Sequence, residues 1–206
     1  MAPSPQAVIF DFGGVMAQFY RPDRFRLLET RLGLDGGRLP EILWRSPEWR
    51  QAEIGAITDG EYWRRIAPRL GLHTPEAIRG LQEALFGDVE VDGRMVALVR
   101  GLRGRVRTGL LSNASDVWSR LMHERYHLDG LFDVEVISAL VGLAKPDPAI
   151  YRLALGWLGT PPDATVFVDD YAPNVEAAAT QGIQGIHFAG YEALVPALEA
   201  LWVALT

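Results

Sequence analysis

Ala7-Val-Ile-Phe10-Asp11-Phe-Gly13-Gly14-Val15 is the stretch on which the reading of the chain turns. Its first four residues form a short apolar run rich in β-formers, which predicts a buried strand. The run ends at a carboxylate followed by two glycines. Glycines there let backbone N–H groups approach an anion closely, and a carboxylate beside such a loop can act as a nucleophile toward phosphorus or carbon. An Asp at a strand end also serves ordinary turn chemistry by capping nearby amides. The stretch alone leaves both readings open.

Outward from it, residues 22–86 read as helices only. Phe25, Leu28 and Leu32 share one helical face, as do Trp63, Ile66 and Leu70, and then Ile78, Leu81 and Leu85. This predicts a helical subdomain inserted after the first strand. From about residue 90 helix and strand alternate. Met95, Leu98, Val99 and Leu102 stripe a helix, and 106–111 read as a strand closed by Ser112-Asn113. Trp118, Leu121 and Met122 mark the next helix, followed by a strand at 134–137. Asp147-Pro148 opens a helix with an Asp cap and Pro at its first position, with Ile150, Leu153, Ala154 and Trp157 as its core face. Residues 165–168 form a strand ending at Asp169-Asp170. Pro173 opens a helix that Gly182 closes, 186–188 make a last strand, and Leu194, Leu198 and Leu201 stripe the final helix. The alternation predicts a mostly parallel sheet covered on both faces, with its site outside the carboxyl ends of the strands.

Three strands end in polar residues, and each could carry chemistry. Adjacent carboxylates at Asp169-Asp170 repel, so either solvent or a cation compensates them, and hard oxygen ligands suit Mg²⁺. A helix dipole could equally stabilise the pair. Ser112 and Asn113 can hold a phosphate oxygen or cap a helix. Arg occurs nineteen times and Lys once, at Lys145. A lone ammonium suggests a place where a compact cation works and a planar guanidinium does not.

Composition bounds the rest. The 206 residues are 49% hydrophobic and 22% charged, which excludes wholesale disorder. With no Cys, disulfides, thiol nucleophiles and thiolate metal sites are excluded. A net charge of −6 argues against broad nucleic-acid affinity. No apolar run is long enough to span a bilayer, and Met1-Ala-Pro-Ser-Pro-Gln6 lacks a basic leader, so a cytoplasmic location is expected. The oligomeric state is open.

In order and chemistry, Val8-Ile-Phe-Asp11-Phe-Gly-Gly-Val15, Leu110-Leu-Ser112-Asn113, Gly142-Leu-Ala-Lys145-Pro-Asp-Pro148 and Val166-Phe-Val-Asp169-Asp170 with Asn174 resemble the four motifs of the haloacid dehalogenase (HAD) superfamily. Most of its members are phosphatases. The resemblance implies an α/β fold: a doubly wound, Rossmann-like core from 1–18 and 88–206, with a helical cap at 19–87 hinged near Phe19-Tyr-Arg-Pro22 and Gly87-Asp-Val-Glu90. It implies that Asp11 forms an aspartyl phosphate and that Lys145 neutralises phosphate charge and orients Asp11. Gly14, Ser112, Asn113 and Lys145 would bind the phosphoryl group. Mg²⁺ would sit on Asp11, the Gly13 carbonyl, Asp169 and Asp170, with Asp170 direct and Asp169 direct or through water. Asn174 would support the site. The expected substrate is a small phosphate ester, a sugar phosphate among the candidates.

One residue departs from the pattern. Phosphatases of this kind carry a second Asp where this chain has Gly13, and that Asp protonates the leaving group. Such assistance is typically worth about 10²–10⁴-fold in rate. Another acid could replace it, with Glu53 of the cap a candidate that reads otherwise as a solvated residue. The leaving group could depart unaided. Alternatively, the chain is a metal-independent 2-haloacid dehalogenase, where halide needs no proton, or a binding protein without turnover. The tryptophans read as packing residues, with Trp118 and Trp157 on core faces and Trp44, Trp49 and Trp63 in the cap.

Overall fold

The computed structural model describes residues 5–203, so the outermost residues of the expected core segments lie outside the described residues. The chain begins with β1 (Ala7–Phe10) and then runs through α1 (Pro22–Leu32), α2 (Arg38–Trp44), α3 (Pro47–Ala52), α4 (Asp59–Ile66), a 3₁₀ turn and α5 (Pro75–Phe86). There follow α6 (Gly93–Leu102), β2 (Arg107–Ser112), α7 (Trp118–Glu124), β3 (Val134–Ile137), α8 (Ser138–Val141) and α9 (Pro148–Leu158). The last elements are β4 (Thr165–Asp169), α10 (Ala172–Thr180), β5 (Gln184–His187) and α11 (Tyr191–Val203). Among the described residues no helix is long and apolar enough to cross a membrane.

The strands form one parallel sheet in the order β3-β2-β1-β4-β5. Strand alternation explains why both faces are covered. Val8, Phe10, Val166 and Val168 point to one side, where α6, α7 and α11 supply Met95, Val99, Met122, Leu194 and Leu198. Ala7, Ile9 and Phe167 point to the other, against Ile150, Tyr151, Ala154 and Leu158 of α9 and Ala178 of α10. A strand buried on both faces must be apolar at every position, which is what residues 7–10 are.

The helices between β1 and β2 build a separate apolar cluster from Phe25 to Leu85. Their starts are written locally. Ser46, Thr58 and Thr74 accept from the backbone N–H groups of Trp49, Glu61 and Ala77 and cap α3, α4 and α5. The chain enters and leaves this unit side by side. Arg21 and Arg24 near its entry both pair with Asp88 at its exit, and Ala17 bridges Val91.

Two local expectations are corrected. The buried arc of α9 is Ile150, Tyr151, Ala154, Leu155 and Leu158. It is rotated from the expected stripe because Tyr151 fills the space over Phe167, and Trp157 falls at its rim, 50% exposed. The last strand is 184–187 rather than 186–188, set by its pairing with 166–169 of β4. Helix α8, at Ser138–Val141, lies in a stretch to which the sequence reading assigned no element.

Candidate active site

Asp11 leaves β1 where the strand order reverses, while β2 on one side ends at Ser112 and β4 on the other ends at Asp169. Parallel strands bring their carboxyl ends to one edge, so the three side chains converge. The register sets Phe10 beside Val168, and the Asp11 N–H donates to the Val168 carbonyl at 2.9 Å, which draws Asp11 alongside Asp169.

Lys145 reaches this edge from the loop between α8 and α9. Its Nζ lies 2.8 Å from Asp11 Oδ1 and 2.6 Å from Asp169 Oδ2, with the side chain 1% exposed. The ammonium also stands 5.4 Å from the centre of the Phe167 ring. Two carboxylates and a π face surround one compact charge, a fit that a planar guanidinium would not reproduce. Burial pushes the Asp11 carboxyl up to about 7, against the pull of the Lys145 charge and with a further push from Asp169. Burial works to lower Lys145, but Asp11 and Asp169 outweigh it and hold the ammonium above the ordinary lysine range.

Asp169 is held on both oxygens. Oδ2 accepts from Lys145 and, at 3.0 Å, from Asn174 Nδ2, while Oδ1 accepts from the Tyr171 N–H at 2.8 Å. Asn174 is held in turn by Tyr151, whose hydroxyl donates to its carbonyl at 2.9 Å. Asp170 is the exposed carboxylate of the group and stands over Gly14. A Cβ at position 14 would come within 2.0 Å of Asp170 Oδ2, and the backbone there has φ +82, so both space and conformation require glycine.

Asp11, Asp169 and Asp170 each offer an oxygen, all within 4.8 Å of one another. Three carboxylates face one ammonium, leaving excess negative charge at a cluster of hard oxygen donors. That donor set fits Mg²⁺.

Asn113 does something the sequence did not show. Its Oδ1 accepts from the Lys145 N–H at 2.8 Å and its Nδ2 donates to the Lys145 carbonyl at 2.9 Å. The side-chain amide is therefore occupied with the lysine's backbone, where a phosphate contact had been expected. Nδ2 also lies 3.4 Å from Glu53 Oε2. Glu53 is accordingly no freely solvated residue. It is half-buried on the cavity wall, and burial pushes its carboxyl up to about 7, against the lowering hydrogen bond with Trp49 and the charge of Arg50.

The helical unit rests on the sheet edge through residues that carry no signal in the sequence. Asp59 Oδ1 accepts from Ser115 Oγ at 2.8 Å, and the Asp59 N–H donates to Asp116 at 2.9 Å. Asp59 follows Thr58 in a helix-capping pattern that accounts for it fully at the sequence level. Between this unit and the strand ends lies a cavity of about 860 Å³, into which Asp11, Ser112, Lys145, Asp170 and Glu53 all open.

The profile of the haloacid dehalogenase-like hydrolase family matches residues 5–182. The sesquiterpene phosphatase astK of Aspergillus oryzae is 31% identical over 188 residues, covering 91% of each chain. A phosphatase of Mycobacterium tuberculosis is 31% identical over 191 residues, covering 88% of this chain and 86% of its own. Among solved structures, a HAD-like hydrolase from Porphyromonas gingivalis superposes with a TM-score of 0.78 at 24% identity, covering 97% of this chain and 98% of the other. A HAD family enzyme from Bacteroides thetaiotaomicron, solved with magnesium and inorganic phosphate, superposes with a TM-score of 0.74 at 20% identity, over 93% of this chain and 99% of the other. At these identities the two structures speak for the fold. With the ordered motifs meeting at one sheet edge and the family profile spanning most of its length, the chain belongs to the haloacid dehalogenase-like hydrolases.

Proposed function

We propose that the chain is a Mg²⁺-dependent phosphatase that hydrolyses a small phosphate monoester through an aspartyl phosphate on Asp11. The observation that carries this reading is the buried Asp11–Lys145–Asp169 cluster, open to a cavity beside Asp170 and Ser112. The two phosphatases named above support it, as does the Bacteroides enzyme's complex with magnesium and phosphate.

Asp11 attacks phosphorus, and the bond to the ester oxygen breaks. Water then attacks the phosphorus of the aspartyl phosphate and releases inorganic phosphate and free Asp11. Both steps bring anions together. Lys145 holds Asp11 in place and offsets the phosphoryl charge, and Ser112 with the backbone of Gly14 and Asn113 binds phosphoryl oxygens. Asp11, the Gly13 carbonyl, Asp169 and Asp170 would hold Mg²⁺, with Asn174 fixing Asp169. When bound, the ion would supply Lewis-acid stabilisation of the transferring group's charge. Gly13 cannot move a proton. Glu53, on the cavity wall beside Asn113, is the carboxyl assigned to that task, because a group poised near 7 is protonated in part at neutral pH. Residues 19–87 act as a cap that excludes water, hinged where Arg21 and Arg24 meet Asp88.

The test is phosphate release from p-nitrophenyl phosphate and a panel of phosphate esters, with Mg²⁺ or EDTA. Release that needs Mg²⁺ and disappears in Asp11→Asn is the expected result. Halide release from 2-chloropropionate, indifferent to EDTA, would identify a dehalogenase instead. Neither product would leave a binding protein.

A further inference from the structure

The cavity is polar at its phosphate end and aromatic along much of the remainder. A run of ring contacts starts beside the nucleophile and crosses into the helical unit. Phe12, the neighbour of Asp11, meets Phe19 at 5.9 Å between ring centres, and Phe19 meets Phe86 at 6.2 Å. Phe86 meets Trp63 at 6.4 Å, Trp63 meets Tyr62 at 5.4 Å, and Tyr62 meets Trp49 at 5.5 Å. All six rings line the cavity. With Trp44 and Trp118, four of the six tryptophans of the chain line this one space.

Packing of the helical unit accounts for them only in part: Tyr62 and Trp63 belong to its core, and Trp44, Trp49 and Phe86 pack against that core with one side. Leu39, Ile42, Leu43, Ile66, Leu70 and Leu85, at 0–1% exposure, are the innermost residues of that core. Phe19, Trp44, Trp49, Phe86 and Trp118 are only half-buried, so part of each ring is left for an occupant to cover. Several polar side chains around the cavity are committed elsewhere. Asp59 holds Ser115, Arg79 pairs with Glu76, and Arg125 donates to the Gly87 carbonyl while its guanidinium stands over Tyr126. A sugar or nucleoside laid along the rings, away from Gln18, Arg45 and Gln82 on the cavity wall, would desolvate hydroxyls and base edges against surfaces that cannot replace their lost hydrogen bonds. An apolar chain would instead take both its own surface and the rings' surface out of water. At about 860 Å³ the cavity lies at the large end of ordinary ligand sites, roughly 300–1,000 Å³.

Resting on the phosphatase reading above, we infer that the alcohol esterified to phosphate is a long apolar one, of alkyl or prenyl character, and that sugar phosphates and nucleotides are poor substrates. The phosphoryl group sits against Asp11 and Lys145, and the chain lies along the rings from Phe12 toward Trp49. Attack by Asp11 forms the new P–O bond and breaks the ester P–O bond. The departing oxygen takes one proton and leaves as the free apolar alcohol.

The experiment has two arms. In the first, kcat/KM for decyl monophosphate, below its micelle concentration, is compared with that for glucose 6-phosphate and adenosine 5′-monophosphate, with p-nitrophenyl phosphate reporting on the phosphatase chemistry itself. The expected preference for the decyl ester is roughly 100-fold or more. Phe86→Ala should raise its KM about 10-fold with a smaller change in kcat, and Phe86→Leu should restore most of the loss. In the second arm, tryptophan fluorescence of Asp11→Asn is titrated with decyl monophosphate and with glucose 6-phosphate. Tighter binding and quenching by the decyl ester alone supports the inference even if no ester is turned over, in which case only the phosphatase reading fails. Equal or better binding or turnover of the sugar phosphate or nucleotide overturns it.

Discussion

The side chain of Asn113 clasps the peptide of Lys145 from both sides, accepting from its N–H at 2.8 Å and donating to its carbonyl at 2.9 Å. A residue at the end of β2 thereby fixes the loop that carries the chain's single lysine. Asn113→Ala removes both bonds and leaves partly buried backbone groups without partners, a cost of about 1–3 kcal/mol. The larger effect should fall on turnover, because the ammonium loses its fixed approach to Asp11. A kcat reduced at least 10-fold with KM for the ester little changed is expected. A variant that loses stability but keeps kcat would show that Lys145 is positioned by its carboxylate partners alone.

Lys145→Met should couple stability to pH. Burial holds the folded Asp11 carboxyl near 7, above its ordinary 3.8. The folded protein therefore binds more protons than the unfolded chain between those values, and stability falls as pH rises through that window. Removing the lysine removes the charge that pulls Asp11 down, so the loss deepens and moves to higher pH. Urea unfolding in EDTA should show a deficit of about 3 kcal/mol at pH 8 and a clearly smaller one at pH 5, where Asp11 carries a proton. Equal deficits at both pH values would mean that the lysine acts through packing alone.

Glu53→Gln separates catalysis from stability. Because burial raises this carboxyl from 4.5 to about 7, the folded state again holds the proton more tightly, and wild-type stability is lost as pH rises between those values. Glutamine carries no such penalty. The variant should be more stable than the parent at pH 8, by about 1 kcal/mol after allowance for solvent screening, and equal to it at pH 4. If Glu53 supplies the proton to an alkyl leaving group, kcat for an alkyl phosphate should decline above pH 7 in the parent and drop about 10²-fold or more in the variant. Hydrolysis of p-nitrophenyl phosphate, whose leaving group departs unaided, should change far less. An unchanged alkyl phosphate profile would return Glu53 to a packing role.

What could be read from the sequence follows from what local pattern encodes. Buried parallel strands must be apolar throughout, so residues 7–10 and 165–168 announced themselves. The polar residues that end them announced the site, because strand ends converge in any parallel sheet. Lys145 was visible by its rarity. Less visible was everything that depends on distant packing. The rotation of α9 that leaves Trp157 at its rim is set by Tyr151 against Phe167, a tertiary contact. Asn113 looked like a phosphate ligand or a helix cap, and only the fold brings the Lys145 peptide to it. Asp59 was hidden inside a helix-capping pattern. The aromatics of the cap fitted a small core equally well, and their second role emerges only once the strand ends and the helical unit face each other across the cavity.

Gly13 offers the most direct test of how the proton is moved. An ideal Cβ there would meet only the Phe19 ring, at 3.5 Å, which is ordinary van der Waals contact, so a Cβ is admitted without displacing the ring. The backbone at Gly13 does not have the positive φ seen at Gly14, and a non-glycine residue is not strained there. Gly13→Asp would place a carboxyl two residues after the nucleophile, where related phosphatases carry one. If Glu53 fills that role in the parent, the gain there should be small. In the Glu53→Gln background, Gly13→Asp should recover at least 10-fold of the lost alkyl phosphate turnover without altering p-nitrophenyl phosphate hydrolysis to the same degree. Recovery in the double variant and not in the single one would place both carboxyls in one role. A large gain in the single variant would instead mean that the parent enzyme works without an acid.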